Sequence, residues 1–491
     1  MKYLLGIDFG GGASKATLLR EDGKICATAT TEYATYYPLP GYCEQNPADW
    51  VEATCANISS VMETSGVKAC DIAALALDAA THTAVVMDED FNVIRPSIYW
   101  TDTRSTEEVA YLRENCGVLI EKQVLHRADT IWTLPELLWI KNNEPELWRR
   151  VRKILFAKDY VRHCLTGDYV TDYIEAEGSM MFDINTMSWS EELCGILDIS
   201  TNMMPKVVKP GDVAGYITAE ASALTGLAEG TMVLCGTTDT VMEVFAAGAV
   251  KQGQMTLKLA TAGRICVITD KPYPDKNLIN YSHIIDGLFY PGTATKSCAA
   301  SYRWFRDTFG GDYEELNVLA EKVDIGSEGL VFHPYLNGEL TPYANPNLCA
   351  DFVGVRAYHT KGHFARAVLE GVTMSMLDCK KTLESLNVSV GDTAVIIGGG
   401  GKSPMWRQMV ADALNIRLVQ MKHVDSSFGS AMLAGVSAGV FESCEQAVSI
   451  CNEAVSVTEP IPENTEKYRK LFEKYKAVQK ALEPIYNGDF I

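Results

Sequence analysis

The sequence predicts an α/β protein of two lobes, duplicated mixed-sheet domains that face each other across a cleft. Three observations predict it. The chain of 491 residues is longer than one hydrophobic core usually supports. Short β-rich runs alternate along it with stretches of helical periodicity. After residue 250 the opening pattern of the chain starts again, which reads as a repeated unit. No low-complexity linker intervenes, so residues 1–250 and 251–491 are read as the two lobes and their junction as a hinge.

The first lobe opens with YLLGIDFG, then ASKATLLR after three glycines, then ICATATTEY after the turn EDGK. Turn residues between β-rich runs at this spacing predict a three-stranded meander. A helix is expected over residues 47–62, strands over 72–80, 83–88 and 93–100, and helices over 104–114, 134–142 and 158–165. The restart comes with MTLKLATAG and RICVITD, a second hairpin with a small-residue corner. Helices over 298–307, 363–384 and 405–414 follow. Between the last two lies the apolar strand AVIIGGGG, residues 394–401, and a charged helix over 463–482 closes the pattern.

With 47% hydrophobic and 22% charged residues the composition is that of an ordinary globular protein. The formal charge of −20 repels nucleic acid and anionic membrane surfaces, and no Lys/Arg-rich run offers a local exception. Any polyanionic substrate must therefore be met by a metal or by a few placed cations. Met1 is followed within a few residues by LLGID, with no charged n-region, long apolar h-region or small-residue cleavage site, so no secretory signal is expected, and no apolar stretch reaches the length of a membrane span. The 14 cysteines are scattered, without the paired spacing of a zinc site or disulfide framework. They read as reduced thiols of a cytoplasmic protein.

Four segments could carry chemistry. VLCGTTDTVMEVFAAGAV places Asp239 where an apolar strand ends in a small-residue turn and a helix begins, a position at which α/β proteins place reactive groups. The alternative is a helix N-cap, where Asp is among the preferred residues. GIDFGGGASK sets Asp8 at a strand end before Gly10, Gly11 and Gly12, whose backbone N–H groups can approach an anion closely, with Lys15 as a nearby cation. The alternative is a plain hairpin turn. GGGGKSP, residues 398–404, follows an apolar strand and precedes a helix, a context that accommodates a nucleotide. It lacks both P-loop and dinucleotide-fold spacing, and a tight strand-to-helix turn accounts for it equally. THTAVVMDEDFNVIRPSIYWTDTRS gathers His82, Trp100, Asp102 and Arg104 near two strand ends. Hydroxyls need donors and acceptors while C–H faces stack on rings, so this wall suits a polyhydroxylated ligand. A buried structural histidine is the competing account of His82, and Trp132 and Trp139 read as core.

In this order the segments resemble the FGGY family of carbohydrate kinases, most closely its xylulokinase branch, over nearly the whole chain. ADFVGVRAYHTKGHFARAVLE, residues 350–370, is similar to the family's C-terminal signature. GYCEQNPADW, IRPSIYWTDTRS, KDYVRHCLTGDYVTDY, PYLNGELTPY and GGGGKSPMWRQMVADALN add to the likeness. The resemblance implies a two-lobed, actin-like ATPase fold of the ribonuclease H type, with sugar and the catalytic base in residues 1–250 and adenosine in residues 251–491. It implies ATP and Mg²⁺, with Asp8 holding the metal through water and Asp239 beside it. Asp239 is also implied as the general base that takes the proton of the sugar hydroxyl. Gly10, Gly11, Gly12 and Lys15 would surround the phosphates, and Thr261, Gly263 and Ala299 would line their path. Gly399, Gly400, Gly401 and Ser403 would form the adenosine side. Thr81, His82, Trp100, Asp102 and Thr240 would face the sugar together with Asp239.

The implied activity is ATP-dependent phosphorylation of a small sugar or polyol, D-xylulose to D-xylulose 5-phosphate first, with gluconate, ribulose, glycerol or a tetritol as alternatives. The family also allows a homodimer. Two readings of other classes compete: a non-catalytic sugar sensor, which would have no chemical need for both Asp8 and Asp239, and an ATPase acting on a protein partner, which would not need the wall at His82, Trp100 and Asp102. The chain departs from the family at DAATH, residues 78–82, where xylulokinases commonly read SGQMH. Asp78 is therefore an extra carboxylate, and it bears on which sugar is bound. Gly11 and Gly12 stand where the loop usually carries hydroxyls, Glu136 where a lysine is usual, and Leu340 where an arginine is frequent.

Overall fold

Three stretches distant in sequence build the first unit: Met1–Val250, Tyr281–Leu288 and His423–Asn452. This is a computed structural model, and it describes residues 1–488. The first sheet begins with the antiparallel meander β1 (Tyr3–Phe9), β2 (Ala13–Arg20) and β3 (Ile25–Glu32). Helix α1 (Pro47–Ser65) then crosses to β4 (Ile72–Ala79), which lies parallel to β1. The Asn46 side chain starts α1 by accepting from the N–H of Ala48, and Pro47 occupies a first-turn position that needs no donor. Gly66 ends it at a φ of 63°, a left-handed conformation that glycine adopts without a Cβ clash.

The excursion after β4 includes α2 (Tyr173–Gly178), opened by Asp172, whose carboxylate accepts from the N–H groups of Ile174 and Glu175. β5 (Val213–Tyr216) and β6 (Met232–Leu234) complete the strand order β3-β2-β1-β4-β6-β5. β6 is parallel to β4, and β5 is antiparallel to β6. The two-residue strand Thr237–Thr238 pairs with the end of β4 and releases α3 (Asp239–Ala246). Leu5, Ile7, Leu18, Trp50, Leu75, Leu77 and Val233 form the core of this unit.

The second unit comprises Lys251–Asn280, Phe289–Lys422 and the chain from Glu453 onward. β7 (Met255–Leu259), β8 (Gly263–Val267) and β9 (Gly292–Thr295) form another antiparallel meander. The long helix α4 (Lys361–Ser385) precedes β10 (Thr393–Ile397), which is parallel to β7. α5 (Pro404–Leu414) leads to β11 (Arg417–Met421), parallel to β10, and β12 (Ala454–Thr458) closes the edge antiparallel to β11. The order β9-β8-β7-β10-β11-β12 has the same sequence of strand directions as the first sheet, but the last two strands are laid down in the opposite chain order: β11 inside precedes the edge β12, whereas the edge β5 precedes β6. Leu257, Leu259, Ile265, Val368, Leu369, Ile396 and Leu418 are buried in its core.

α6 (Ser426–Ser437) belongs to the first unit and was not foreseen from the sequence. It lies so close on β1 that a Cβ on Gly6 would stand 1.9 Å from the carbonyl oxygen of Ser427 and 2.4 Å from the nitrogen of Ala431. Two strand expectations are corrected. Residues 93–100 contribute only the strand Ser97–Ile98, since Pro96 offers no donor and Arg95 is instead drawn into ion pairs with Glu44 and Glu144 at 2.6 and 3.1 Å. The strand expected over 394–401 ends at Ile397, because the glycines that follow coil into a 3₁₀ turn, Gly399–Lys402. Among the described residues no helix is long and apolar enough to cross a membrane.

Candidate functional site

Strand register brings the carboxyl groups together. Asp8 of β1 and Asp78 of β4 are direct partners on parallel strands, and Thr237 pairs with Asp78 in turn, so Asp239 leaves the sheet beside them. Asp239 is the first residue of α3, and Thr238 occupies the cap position. The cap alternative is thus displaced by one residue. A carboxylate in the first helical turn is favoured in its charged form, and Thr240 Oγ1 donates to Asp239 Oδ1 at 3.2 Å.

Burial, and next the charge of Asp239, push Asp8 up to about 7. Asp78 is fully buried, and burial followed by the charge of Asp8 holds it well above the usual carboxylate range. Burial therefore favours the protonated form of Asp78, and its Oδ2 accepts from Ser430 Oγ of α6. The first turn of α6 completes the group: Asp425 pairs with Lys15 at 3.0 Å and accepts from Ser427 Oγ at 2.6 Å, and Ser426 lies close enough to Asp8 to favour its charged form.

This surplus of negative charge fits a hard divalent cation. Carboxylate oxygens are the donors such ions prefer. Among the described residues no group of three or more His, Cys, Asp or Glu side chains forms a metal cage. A cation here would keep waters and phosphate oxygens in its shell, the habit of Mg²⁺.

Beside Asp8 the β1–β2 turn closes through the N–H of Gly10, which donates to the carbonyl of Ala13 at 3.1 Å. Its carbonyls are taken up from behind: Tyr33 Oη donates to Gly10 O, Thr35 Oγ1 and Gln45 Nε2 donate to Gly11 O at 2.9 and 3.0 Å, and the N–H of Tyr33 donates to Gly12 O at 3.0 Å. A Cβ on Gly10 or Gly12 would meet nothing within 4 Å, so the turn is open on that side. Backbone N–H groups arranged this way form a concavity for an anion.

The turn after β4 carries Thr81 and His82. His82 has a left-handed φ of 73° and is buried, which pushes its imidazole down to about 3, so the ring is neutral. Asp102 is buried as well, and its oxygens are engaged by the N–H groups of Cys43 and Arg104 and by the Arg104 guanidinium at 2.8 to 3.0 Å. Arg104 also pairs with Glu44 at 2.8 Å and lies 3.8 Å over the Tyr42 ring. Asp102 thus organises the loop that leaves Trp100 exposed. Trp132 is core, as read from the sequence, but it packs on His82 with ring centroids 5.1 Å apart. Glu136 is buried without a partner for Oε2, and burial holds it well above its ordinary range.

In the second unit the remaining expected residues gather at the ends of β7 and β10. The oxygens of Ala260 and Thr261 accept from the N–H groups of Ala299 and Cys298 at 2.8 and 2.9 Å, which ties the β7–β8 turn to the start of the helix Ala299–Phe309. A Cβ on Gly263 would stand 2.6 Å from Met376 Sδ. Gly400 is packed against Trp406 and Leu259, whereas a Cβ on Gly399 would face open space. Ser403 caps α5 by accepting from the N–H of Trp406 at 3.3 Å.

Of the expected residues, Asp8, Lys15 and Asp239 thus share one cluster, and Thr261, Gly263, Ala299 and the glycines 399–401 share another. Sequence reasoning missed Asp425, Ser426 and Ser430 of the first cluster. DSSFG has the form of an N-cap followed by an apolar helix, and that signal could have found them.

Residues 3–246 match the N-terminal domain of the FGGY family of carbohydrate kinases, and residues 265–438 match its C-terminal domain. The chain is similar to the xylulose kinase of Bacillus subtilis (strain 168), 34% identical over 451 residues that cover 91% of this chain and 90% of that one. It is 29% identical over 450 residues to the gluconokinase of Bacillus licheniformis, covering 89% and 87%. The crystal structure of xylulose kinase from Rhodospirillum rubrum matches at a TM-score of 0.92 and 26% identity, over 99% of this chain and 100% of that one.

Proposed function

Because this chain belongs to the FGGY family of carbohydrate kinases, we propose that it transfers the γ-phosphoryl group of ATP to a hydroxyl of D-xylulose, giving D-xylulose 5-phosphate. Its two mixed-sheet units have the actin-like ATPase fold of that family. The observation that supports the reading most is the register of β1, β4 and Thr237–Thr238, which sets Asp239 beside Asp8 and next to the glycine turn.

Asp239 accepts the proton of the sugar hydroxyl as that oxygen attacks the γ-phosphorus. The bond to the β,γ-bridging oxygen breaks, and its electron pair leaves with ADP. Such a transfer needs little covalent help and depends on position and charge neutralisation. Gly10, Gly11, Gly12 and Lys15 hold the phosphates, and Thr261, Gly263 and Ala299 line their path. Thr81, His82, Trp100 and Thr240 line the sugar, with Asp102 fixing the loop of Trp100. Gly399, Gly400, Gly401 and Ser403 serve adenosine, so residues 1–250 supply the sugar site and base and residues 251–491 the adenosine site. Asp8 through water, with Asp239 beside it, would hold Mg²⁺. When bound, the ion neutralises phosphate charge in a protein that otherwise repels it. The 14 free thiols suit a reducing cytoplasm.

Gluconate is the second reading, favoured by the similarity to a gluconokinase. A coupled ADP-release screen over D-xylulose, ribulose, gluconate, glycerol and tetritols decides between them. D-xylulose is expected to give the highest kcat/KM. A preference for gluconate selects the second reading, and no sugar-dependent ADP release rejects both.

A further inference from the structure

Residues Tyr281–Leu288 belong to the first unit although the chain on either side of them belongs to the second. The segment is tied down at several points. Ser282 donates to Glu177 through its N–H at 2.9 Å and its hydroxyl at 2.5 Å, and Tyr173 Oη donates to the carbonyl of His283 at 2.8 Å. What these anchors hold in place is Tyr281, whose hydroxyl lies 2.6 Å from His82 Nε2 with the two rings stacked at 5.7 Å.

His82 is restrained from every other side. Its backbone N–H donates to Glu175 Oε1 at 2.9 Å, while Nδ1, 3.4 Å from the same oxygen, makes no hydrogen bond. Its carbonyl accepts from Thr133 Oγ1 at 2.6 Å. A Cβ on Gly178 would stand 1.7 Å from His82 Cε1, so α2 has no side chain where the ring passes. A non-glycine residue persists in the left-handed region only when its surroundings over-determine it. A ring filling core space needs neither a hydrogen-bonding hydroxyl at its tip nor a glycine beneath it. The hydrogen bond made by one imidazole nitrogen also decides which nitrogen carries the hydrogen.

We propose that Tyr281 and Glu175 are positioning residues for substrate binding: Glu175 holds the backbone of His82 and Tyr281 its ring plane and tautomer, and together they set the turn Thr81–His82 that receives the sugar. The inference rests on the reading that this turn faces the sugar. Neither residue touches the reacting atoms, so their effect falls on sugar binding and not on phosphoryl transfer.

Tyr281→Phe removes one oxygen and keeps the ring. It is expected to raise KM for the sugar about five- to tenfold, as expected for one lost buried hydrogen bond, with KM for ATP and kcat nearly unchanged. In histidine-¹⁵N-labelled protein the His82 nitrogens should move toward a tautomer mixture. A purely structural tyrosine would change stability without either signature. Glu175→Leu, which unlike glutamine leaves no acceptor for the His82 N–H, is expected to raise the sugar KM in the same way and leave KM for ATP unchanged. His82→Asn is the reference: if it leaves the sugar KM unchanged, the sugar-facing reading of the turn fails and the inference with it. If His82→Asn raises that KM while Tyr281→Phe leaves both the KM and the ¹⁵N shifts as in the unaltered enzyme, only the positioning role is overturned.

Discussion

Asp78 is a buried acid that costs the fold more as pH rises. Its folded-state pKa lies well above the ordinary 3.8, chiefly through burial and then through the charge of Asp8. A group raised in this way contributes stability that is fully present below the unfolded pKa and is lost as pH rises through the folded one. Asp78→Asn keeps the shape and the donor toward Asp8 but removes the ionisation. Its melting temperature relative to the unaltered protein should therefore be higher at pH 8 than at pH 5, both measured without divalent cation. A gap that stays constant between the two values would rule this account out. Asp8, raised to about 7 by burial and Asp239, follows the same sign and adds to the fall in stability between about pH 4 and 7. As the proposed base, Asp239 is a different kind of residue, since its value would lie in the transition state. Asp239→Asn should retain ATP binding by calorimetry and lose turnover by about 10² to 10⁴, the worth of a positioned base. Near-normal kcat would remove Asp239 from the mechanism.

At the scale of elements, α6 shows why the site was only partly legible. The meander and β4 could be read because apolar runs ending in Asp8 and Asp78 are bounded by turn residues, and α1 because Asn46, Pro47 and Gly66 mark its ends. α6 offered only the cap signal at Asp425, because all of its residues from Ser426 to Gly435 are buried and small or apolar, which leaves no polar face to generate a 3.6-residue period. The partner of His82 was invisible for a different reason: Tyr281 lies 199 residues away in sequence, and no local pattern encodes such a contact. Glycine at position 6 is what the sequence does show of α6, as a small residue in an otherwise large apolar strand. Gly6→Ala would drive a methyl into the backbone of Ser427 and Ala431. Overpacking of this kind costs about 1–3 kcal/mol. It should also displace Ser426 and Ser430 from Asp8 and Asp78, lowering kcat along with the melting temperature. Full activity at unchanged stability would mean that α6 is not seated on β1 as described.

For the molecule as a whole, one mixed-sheet plan is used twice, and each copy ends its first hairpin in a small-residue turn able to meet phosphate: Gly10–Gly12 in one, Ala260–Gly263 in the other. Duplication thus explains why the small-residue turns recur while the residues around them differ, with carboxyl groups in the first unit and glycines 399–401 in the second. The net charge adds a constraint that neither unit shows alone. At −20 the protein repels the ATP–metal complex, which is itself anionic, whereas a neutral sugar is indifferent to that field. Lys15 cannot offset the repulsion at a distance, because Asp425 stands 3.0 Å from it. Salt shortens the reach of exposed charge to about 10 Å at 0.1 M and about 8 Å at 0.15 M. Raising the ionic strength from about 0.01 M to 0.15 M with divalent cation held in excess should therefore increase kcat/KM for ATP severalfold and leave kcat/KM for D-xylulose flat. Initial rates at low salt and physiological salt test this directly. A fall in kcat/KM for ATP with salt would show that local attraction at the glycine turns outweighs the global charge, and would locate the steering field in the site instead of the surface.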